Sequence, residues 1–313
     1  MTVAFPDLDM LIEEVEVLRA DRLSTSFVRF ELGCPAFTEL GGSGAYYDQR
    51  IKLVFPHEDG PVPSFTGADD TWYTTWLERP VEERGHMRTY TIRDVVGSGA
   101  DTRLVVDIVL HEDDGHGAAG PGTTWAAQAK VGDRLVAMTP RKGYEYGGIE
   151  WAPGEAARLL LVGDETALPA IAGILRDLPG DAVGTAVVEV PVSDDVQDLA
   201  APAGVDVVWL PRDGAPLGSL VHAAALERLG AGPVDVEVSD DEVDPDLWET
   251  PAYSSSGEDV AADTAHTDDV YVWIAGESKV VTGLRRVLVK DLGLDRRQVA
   301  FMGYWRLGVS MGT

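Results

Sequence analysis

The apolar residues of this chain change rhythm once, and that change limits the available folds more than any single motif. From about Val15 to Met138 they fall in six short β-rich runs: VEVL at 15–18, SFVRFEL at 26–32, RIKLVF at 50–55, RTYTIRDV at 88–95, RLVVDIVL at 103–110 and RLVAM at 134–138. Polar, glycine-containing loops separate them, and the only helical candidate in this half is a short one around Thr124 to Ala129. Period-two stretches of that kind predict an antiparallel barrel or sandwich. After the WAPGE segment, Trp151 to Glu155, strand candidates at 158–162, 185–190, 205–210, 270–275 and 298–305 alternate with helical segments. Leu168, Ile171, Leu175 and Leu178 share one face of one such helix, and Val280, Leu284, Val287 and Leu288 one face of another. Strand–helix–strand alternation predicts a doubly wound parallel sheet. The expected division is a β domain over 1–152 and an α/β domain over 153–313.

Charge removes several function classes. With 53 acidic against 25 basic residues in 313, the formal net charge is −28. Such a field repels phosphate backbones and anionic headgroups, and no concentrated basic patch offsets it, so nucleic acid and membrane are not expected partners. One cysteine, Cys34, excludes an internal disulfide, a cysteine-ligated zinc and a protein-held iron–sulfur cluster. No protein-bound metal is expected, and redox chemistry would need a borrowed organic cofactor. The N-terminus lacks the basic and apolar regions of a signal peptide and no apolar stretch is long enough to span a bilayer, so a cytoplasmic location is expected. Residues 231–270 carry thirteen Asp or Glu and no Lys or Arg. This segment reads as a mobile acidic insertion, solvated in the simplest case and a docking arm or lid in the other.

Four segments carry chemistry. In RTYTIR, strand alternation places Arg88, Tyr90 and Ile92 on one face and Thr89, Thr91 and Arg93 on the other. A ring that covers a heterocycle, a hydroxyl for its edge and guanidinium groups for phosphate meet the needs of a flavin nucleotide. An ordinary surface strand has the same composition. Next, a strand ends at His111, and a glycine-rich loop leads through Gly120, Gly122, Thr123 and Thr124 into a short helix at Trp125. Consecutive amides at a helix start form an anion nest, here sized for a pyrophosphate. Third, a buried strand opens through Gly163, Asp164, Glu165 and Thr166 into a helix with Pro169 near its first turn, although GxGxxG is absent. Last come WIAGES, with Gly276 and Glu277, and FMGYWRLG, with Tyr304 and Trp305, each ending a strand at the same edge.

Taken in order, these four segments resemble the siderophore-interacting protein family, flavin-dependent ferric-siderophore reductases related to ferredoxin:NADP reductases. The likeness runs from about Val15 to Gly308 and leaves out the acidic insertion. It implies an N-terminal antiparallel Greek-key flavin-binding β-barrel holding FAD and a C-terminal α/β domain for NADH or NADPH. By the same resemblance Arg88 and Arg93 meet FAD phosphates, Tyr90 and Thr91 the isoalloxazine, His111 the adenosine side, and Gly120 to Thr124 the pyrophosphate. Gly163, Asp164, Glu165 and Thr166 edge the nicotinamide nucleotide, with Gly276 and Glu277 opposite and Trp305 near the flavin. Tyr90, Thr91 and Trp305 are thus the expected catalytic group. A ferric siderophore is the expected substrate, approached past the scarce cations Lys52, Arg141, Lys142, Lys279 and Arg306, in a chain read as a monomer. A related flavoprotein fed by ferredoxin, or a non-enzymatic siderophore carrier, are the alternatives. Departures are the long acidic loop after His111 and Thr139 where a glycine commonly precedes Pro140.

Overall fold

The computed structural model describes residues 8–42, 44–58, 60–110, 120–232, 234, 248–250, 253–254 and 270–308. Packing divides the chain into two units between Ile149 and Glu150. The first contains strands β1 (Met10–Arg22), β2 (Phe27–Gly33), β3 (Arg50–Phe55), β4 (His86–Thr91), β5 (Asp94–Val96), β6 (Arg103–Val109) and β7 (Arg134–Pro140). They form one antiparallel sheet in the order β4-β3-β7-β1-β2-β6-β5.

The two edge strands, β4 and β5, are separated in the chain by Ile92 and Arg93 alone. The Ile92 amide donates to the Gln49 carbonyl on the β3 side (2.9 Å), and the Arg93 amide to Val105 of β6 (2.9 Å). Two residues therefore step across the seam, and the sheet must curl on itself to let them. RTYTIRDV reads as one strand in the sequence, yet it is two strands on opposite edges. Inward residues from every part of the barrel, including Phe30, Leu53, Phe55, Ile92, Val106 and Ala137, fill a single core.

Two helices were not anticipated here: α1 (Trp72–Glu78) and the single turn α2 (Val81–Arg84). Neither has a side-chain cap, and their lengths are too short to show a helical period. Tertiary burial supplies what local signals lack. Trp76, 1 % exposed, packs with Leu8, Ile12, Val54, Met87, Val136 and Met138 in a second cluster on the outer face of β3, β4 and β7. Its indole N–H donates to the Arg84 carbonyl (2.9 Å). The anticipated helix is α3 (Pro121–Gln128).

The second unit has parallel strands β8 (Arg158–Gly163), β9 (Gly184–Val190), β10 (Val205–Pro211), β13 (Val270–Glu277) and β14 (Val299–Trp305), with α4 (Leu168–Asp177), α5 (Ser219–Arg228) and α6 (Ser278–Arg286). Its order, β10-β9-β8-β13-β14, reverses direction between β8 and β13. That switch point opens a crevice at the carboxyl edge. Apolar faces of α5 and α6 join one core with alternate residues of β8, β13 and β14, and α4, buried from Leu168 to Leu175, lies outside that cluster. Val287 and Leu288 sit on a π-helical turn that continues α6.

Two expectations need correction. Between β9 and β10 the alternation fails, because that connection holds only a 3-10 turn at Ser193–Asp195. The acidic insertion also contributes structure: β11 (Trp248–Thr250) pairs antiparallel with β14, and β12 (Tyr253–Ser254) pairs with β11. Composition masked them, since acids and serines dominate the segment around two very short strands.

Candidate functional site

In the first unit the site begins with the β3–β4 pair. Register sets Leu53 opposite Arg88 and Ile51 opposite Tyr90, while Lys52 faces Thr89 and Arg50 faces Thr91. Tyr90 therefore leans inward, edge-on to Phe55 (5.8 Å between centroids), and Trp125 of α3 packs on Phe55 (5.2 Å) and Phe30 (5.3 Å). The start of α3 reaches the phenol only because residue 122 is glycine: a Cβ there would lie 2.1 Å from the Tyr90 oxygen. Burial pushes the Tyr90 phenol well above its ordinary pKa, so it keeps its proton. Among the described residues its hydroxyl has no hydrogen-bond partner.

Arg88 is half-buried beside it, and among the described residues its one hydrogen bond goes to the neighbouring Met87 carbonyl (2.7 Å). Burial lowers its pKa, and among the described residues no carboxylate opposes that. The contrast with Arg93 is direct. Arg93 Nε lies 3.5 Å from Asp107, a carboxylate that also takes both arms of Arg29 (2.6 and 2.7 Å). In a chain with twice as many acids as bases, a half-buried guanidinium that finds no carboxylate among the described residues is suited to an anion from elsewhere. The uncapped start of α3, at Gly120, supplies amide donors, and the space beside Gly120 is open. Thr123 is turned the other way, donating to the Val109 carbonyl (3.1 Å). Thr91 is buried at the end of β4. This donor set fits a flavin dinucleotide: a phosphate-seeking guanidinium, a helix start and an aromatic hydroxyl in one place. His111 lies outside the described residues.

At the carboxyl edge of the second unit, three strand tips are tied through one side chain. Asp164, 4 % exposed, follows β8. Its Oδ1 accepts from the Thr166 amide (2.9 Å) and hydroxyl (2.6 Å), and its Oδ2 from the Glu277 amide (2.7 Å) and the Trp305 indole (2.8 Å). Gly276, at φ 143°, makes room, since a Cβ there would sit 2.6 Å from Oδ2. Glu277 caps α6 by accepting from the Lys279 and Val280 amides (2.7 and 3.0 Å) and takes the Leu307 amide as well (3.2 Å). Ser278 Oγ donates to the Trp305 carbonyl (2.8 Å), and Gly303 leaves space for that hydroxyl. Gly163 lets β8 turn into α4 close against Ala167 and the Ala275 carbonyl.

The carboxylates of Asp164, Glu165 and Glu277 are thus engaged inside the fold, and what they leave at the edge is backbone and Trp305. Sequence reasoning missed the hub around Arg212. Its guanidinium grips Glu165 with two bonds (2.8 and 3.0 Å) and reaches Glu189 (3.4 Å), a fully buried carboxylate that also caps α5 through Gly218, Leu220 and Val221. Burial and nearby Asp164 outweigh Arg212 and raise Glu165 to about 7. Its signal, a lone arginine ending the third strand candidate of the α/β half, has no nearby partner in sequence.

Three of the expected substrate cations lie in the first unit. Lys52 donates to Thr89 Oγ1 (2.6 Å), and burial and Arg50 lower its pKa. Arg141 bonds the Leu8 carbonyl (2.9 Å) and covers the Tyr144 ring, while Lys142 donates to Thr38 (2.5 Å). Lys279 and Arg306 are partly exposed in the second unit. Among the described residues no group of carboxylate, imidazole or thiol ligands forms a metal site, and no helix is long and apolar enough to cross a membrane.

An antiparallel barrel with an anion-seeking aromatic site, joined in one chain to a parallel sheet with a carboxyl-edge crevice, defines the flavin-dependent reductase class. Residues 16–144 match the siderophore-interacting FAD-binding domain and residues 156–308 the siderophore-interacting protein family. A Mycobacterium tuberculosis protein of unassigned function is 33 % identical over 299 residues, 94 % of this chain and 89 % of the relative. The NADPH-dependent ferric-chelate reductase of Escherichia coli is 29 % identical over 301 residues, covering 95 % and 94 %. The crystal structure of a siderophore utilization protein from T. fusca superposes with a TM-score of 0.66 at 29 % identity, over 98 % of this chain and 97 % of that one. This chain belongs to the siderophore-interacting protein family, with FAD as its cofactor and an oxidoreductase fold.

Proposed function

We propose that the chain is a cytoplasmic, monomeric ferric-siderophore reductase that takes electrons from NADH or NADPH and delivers them to chelated Fe(III). The observation that carries the flavin half is Arg88, a half-buried cation that has no carboxylate partner among the described residues, beside a Tyr90 hydroxyl equally without a partner among them and the uncapped start of α3. FAD, when bound, accepts electrons as a pair and releases them singly, which matches a two-electron donor to a one-electron acceptor. Arg88 and the Gly122 and Thr123 amides hold the diphosphate, Tyr90 and Thr91 bind and orient the ring system, and Gly120 and Thr124 border the phosphates. Arg93, with Asp107 beside it, and His111 take the outer phosphate and adenosine contacts. The phenol of Tyr90 stays protonated and donates.

In the second unit the nucleotide lies in the crevice between β8 and β13, against the backbone of Gly163, Asp164, Glu165, Thr166, Gly276 and Glu277. Trp305 presents its ring there. Lys52, Arg141, Lys142, Lys279 and Arg306 offset part of the chain's charge toward an anionic chelate. Two ferric ions are reduced per nucleotide oxidised. Fe(II), with lower charge and greater softness, is held less tightly by hard oxygen donors and leaves the siderophore.

The test is an absorption spectrum of the purified protein, with anaerobic NADH or NADPH and then a ferric siderophore added in turn. Flavin bands at about 375 and 450 nm should bleach with nucleotide and recover with the chelate, while a ferrous trap colours. A protein that stays colourless in excess FAD and binds the chelate without oxidising nucleotide is a carrier. Bleaching only by reduced ferredoxin replaces the donor.

A further inference from the structure

We infer that Asp164 is a positioning residue, whose carboxylate anchors the Trp305 indole at the mouth of the nucleotide crevice. The inference deepens the reductase reading and rests on it. Trp305 ends the fifth parallel strand. Asp164 takes its indole N–H (2.8 Å), while Ser278 donates to its backbone carbonyl (2.8 Å) and Glu277 accepts the Leu307 amide two residues on (3.2 Å), so the ring is tethered at the end of a backbone that is itself held. A partly exposed aromatic held in this way is pre-oriented, so a planar ring that meets it does so without first ordering it. The anchor is also expensive for the fold to build. A 4 % exposed carboxylate must be satisfied by four donors, Gly276 must adopt φ 143°, and two glycines, 276 and 303, must give up side chains that would strike Asp164 and Ser278. Capping α4 or α6 needs none of this, since the Thr166 turn uses only Oδ1 and Glu277 caps α6 by itself. Oδ2 serves the Glu277 amide and Trp305.

The arrangement distinguishes an amide from a methyl at residue 164. In Asp164→Asn the NH2 group can turn toward the Thr166 hydroxyl, which accepts, at the cost of the bond from the Thr166 amide, and leave its oxygen for Glu277 N–H and Trp305. Asp164→Ala offers no acceptor. Trp305→Phe removes the donor and keeps an aromatic ring.

The anchor is read first without nucleotide. In 15N-labelled FAD-loaded protein, the indole resonance missing from Trp305→Phe identifies Trp305, and its N–H should exchange with solvent at least about tenfold more slowly than an exposed indole. Asp164→Ala should abolish that protection and Asp164→Asn restore most of it. Rapid anaerobic flavin reduction then supplies the second readout. Asp164→Ala should slow reduction at saturating nucleotide by about tenfold, and the loss should shrink to less than about twofold in a Trp305→Phe background, as for residues acting through one another. A Trp305 indole that exchanges freely, or is unmoved by Asp164→Ala, overturns the anchor. A protected indole with fully additive kinetic losses overturns the positioning role. If Asp164→Ala does not fold, Asp164→Asn combined with Thr166→Val, which removes the accepting hydroxyl, makes the same test. A protected indole in a protein whose flavin neither NADH nor NADPH reduces leaves the anchor standing, while it removes the reductase reading and the positioning role together.

Discussion

Two arginines, one in each unit, are handled in opposite ways. In the second, Arg212 is fixed by two bonds to Glu165 and a third to Glu189, and both acids are buried. In the first, Arg88 pairs with no carboxylate among the described residues, and its hydrogen bond goes to the Met87 carbonyl. A closed network of that first kind holds strand tips in place, whereas an open cation is costly to the empty protein and useful to one that binds a phosphate. In an acid-rich chain the arginine left without an acid among the described residues is therefore the informative one.

That comparison makes Arg212→Met the most damaging single change. It strands two buried carboxylates and should destabilise the second unit by about 3–5 kcal/mol, seen as a lower denaturant midpoint, while FAD affinity per folded molecule is kept. Arg88→Leu should do the reverse. FAD affinity should fall by about 10–100-fold, the worth of a charge-assisted hydrogen bond, and the FAD-free protein should melt no lower than the parent. Flavin titration and thermal scans check both halves, and unchanged FAD affinity would dissolve the contrast.

Smaller effects sharpen it. Glu165 sits at about 7 in the fold against 4.5 ordinarily, so the native state binds the extra proton between those values. Its contribution to stability is complete below about pH 4.5 and declines as pH rises to about 7. Glu165→Gln should flatten that decline in denaturation curves taken across the window. Thr139 is the mildest case. It is fully buried on β7 and among the described residues its hydroxyl has no partner, so Thr139→Val should be neutral or gain up to about 1 kcal/mol by denaturant midpoint.

Much of this fold is legible in the chain because burial leaves a period. RIKLVF and RLVVDIVL are strands of one register each, and Leu168, Ile171 and Leu175 mark α4. The seam at Ile92–Arg93 is illegible, since nothing local says that a strand leaves one edge and resumes at the other. Helix α1 is hidden for a related reason: Trp76 becomes core only when Leu8, Val54 and Met138 assemble beneath it. At the site, residue types point to Arg88, Tyr90, Asp164 and Trp305 as expectations, but the sequence cannot show that Thr166, Glu277 and Trp305 converge on the Asp164 carboxylate. Arg212 lies 47 residues from Glu165 and 23 from Glu189, beyond any local pattern.

The short strand β11 has a consequence for anyone who trims this protein. By pairing along Trp248–Met302 and Glu249–Phe301 it covers the outer side of β14, whose residues from Val299 to Met302 are apolar and buried. Removing 231–270 as a dispensable acidic loop would bare that flank and strip away thirteen negative charges at once. The shortened chain should self-associate through the uncovered backbone, strand to strand.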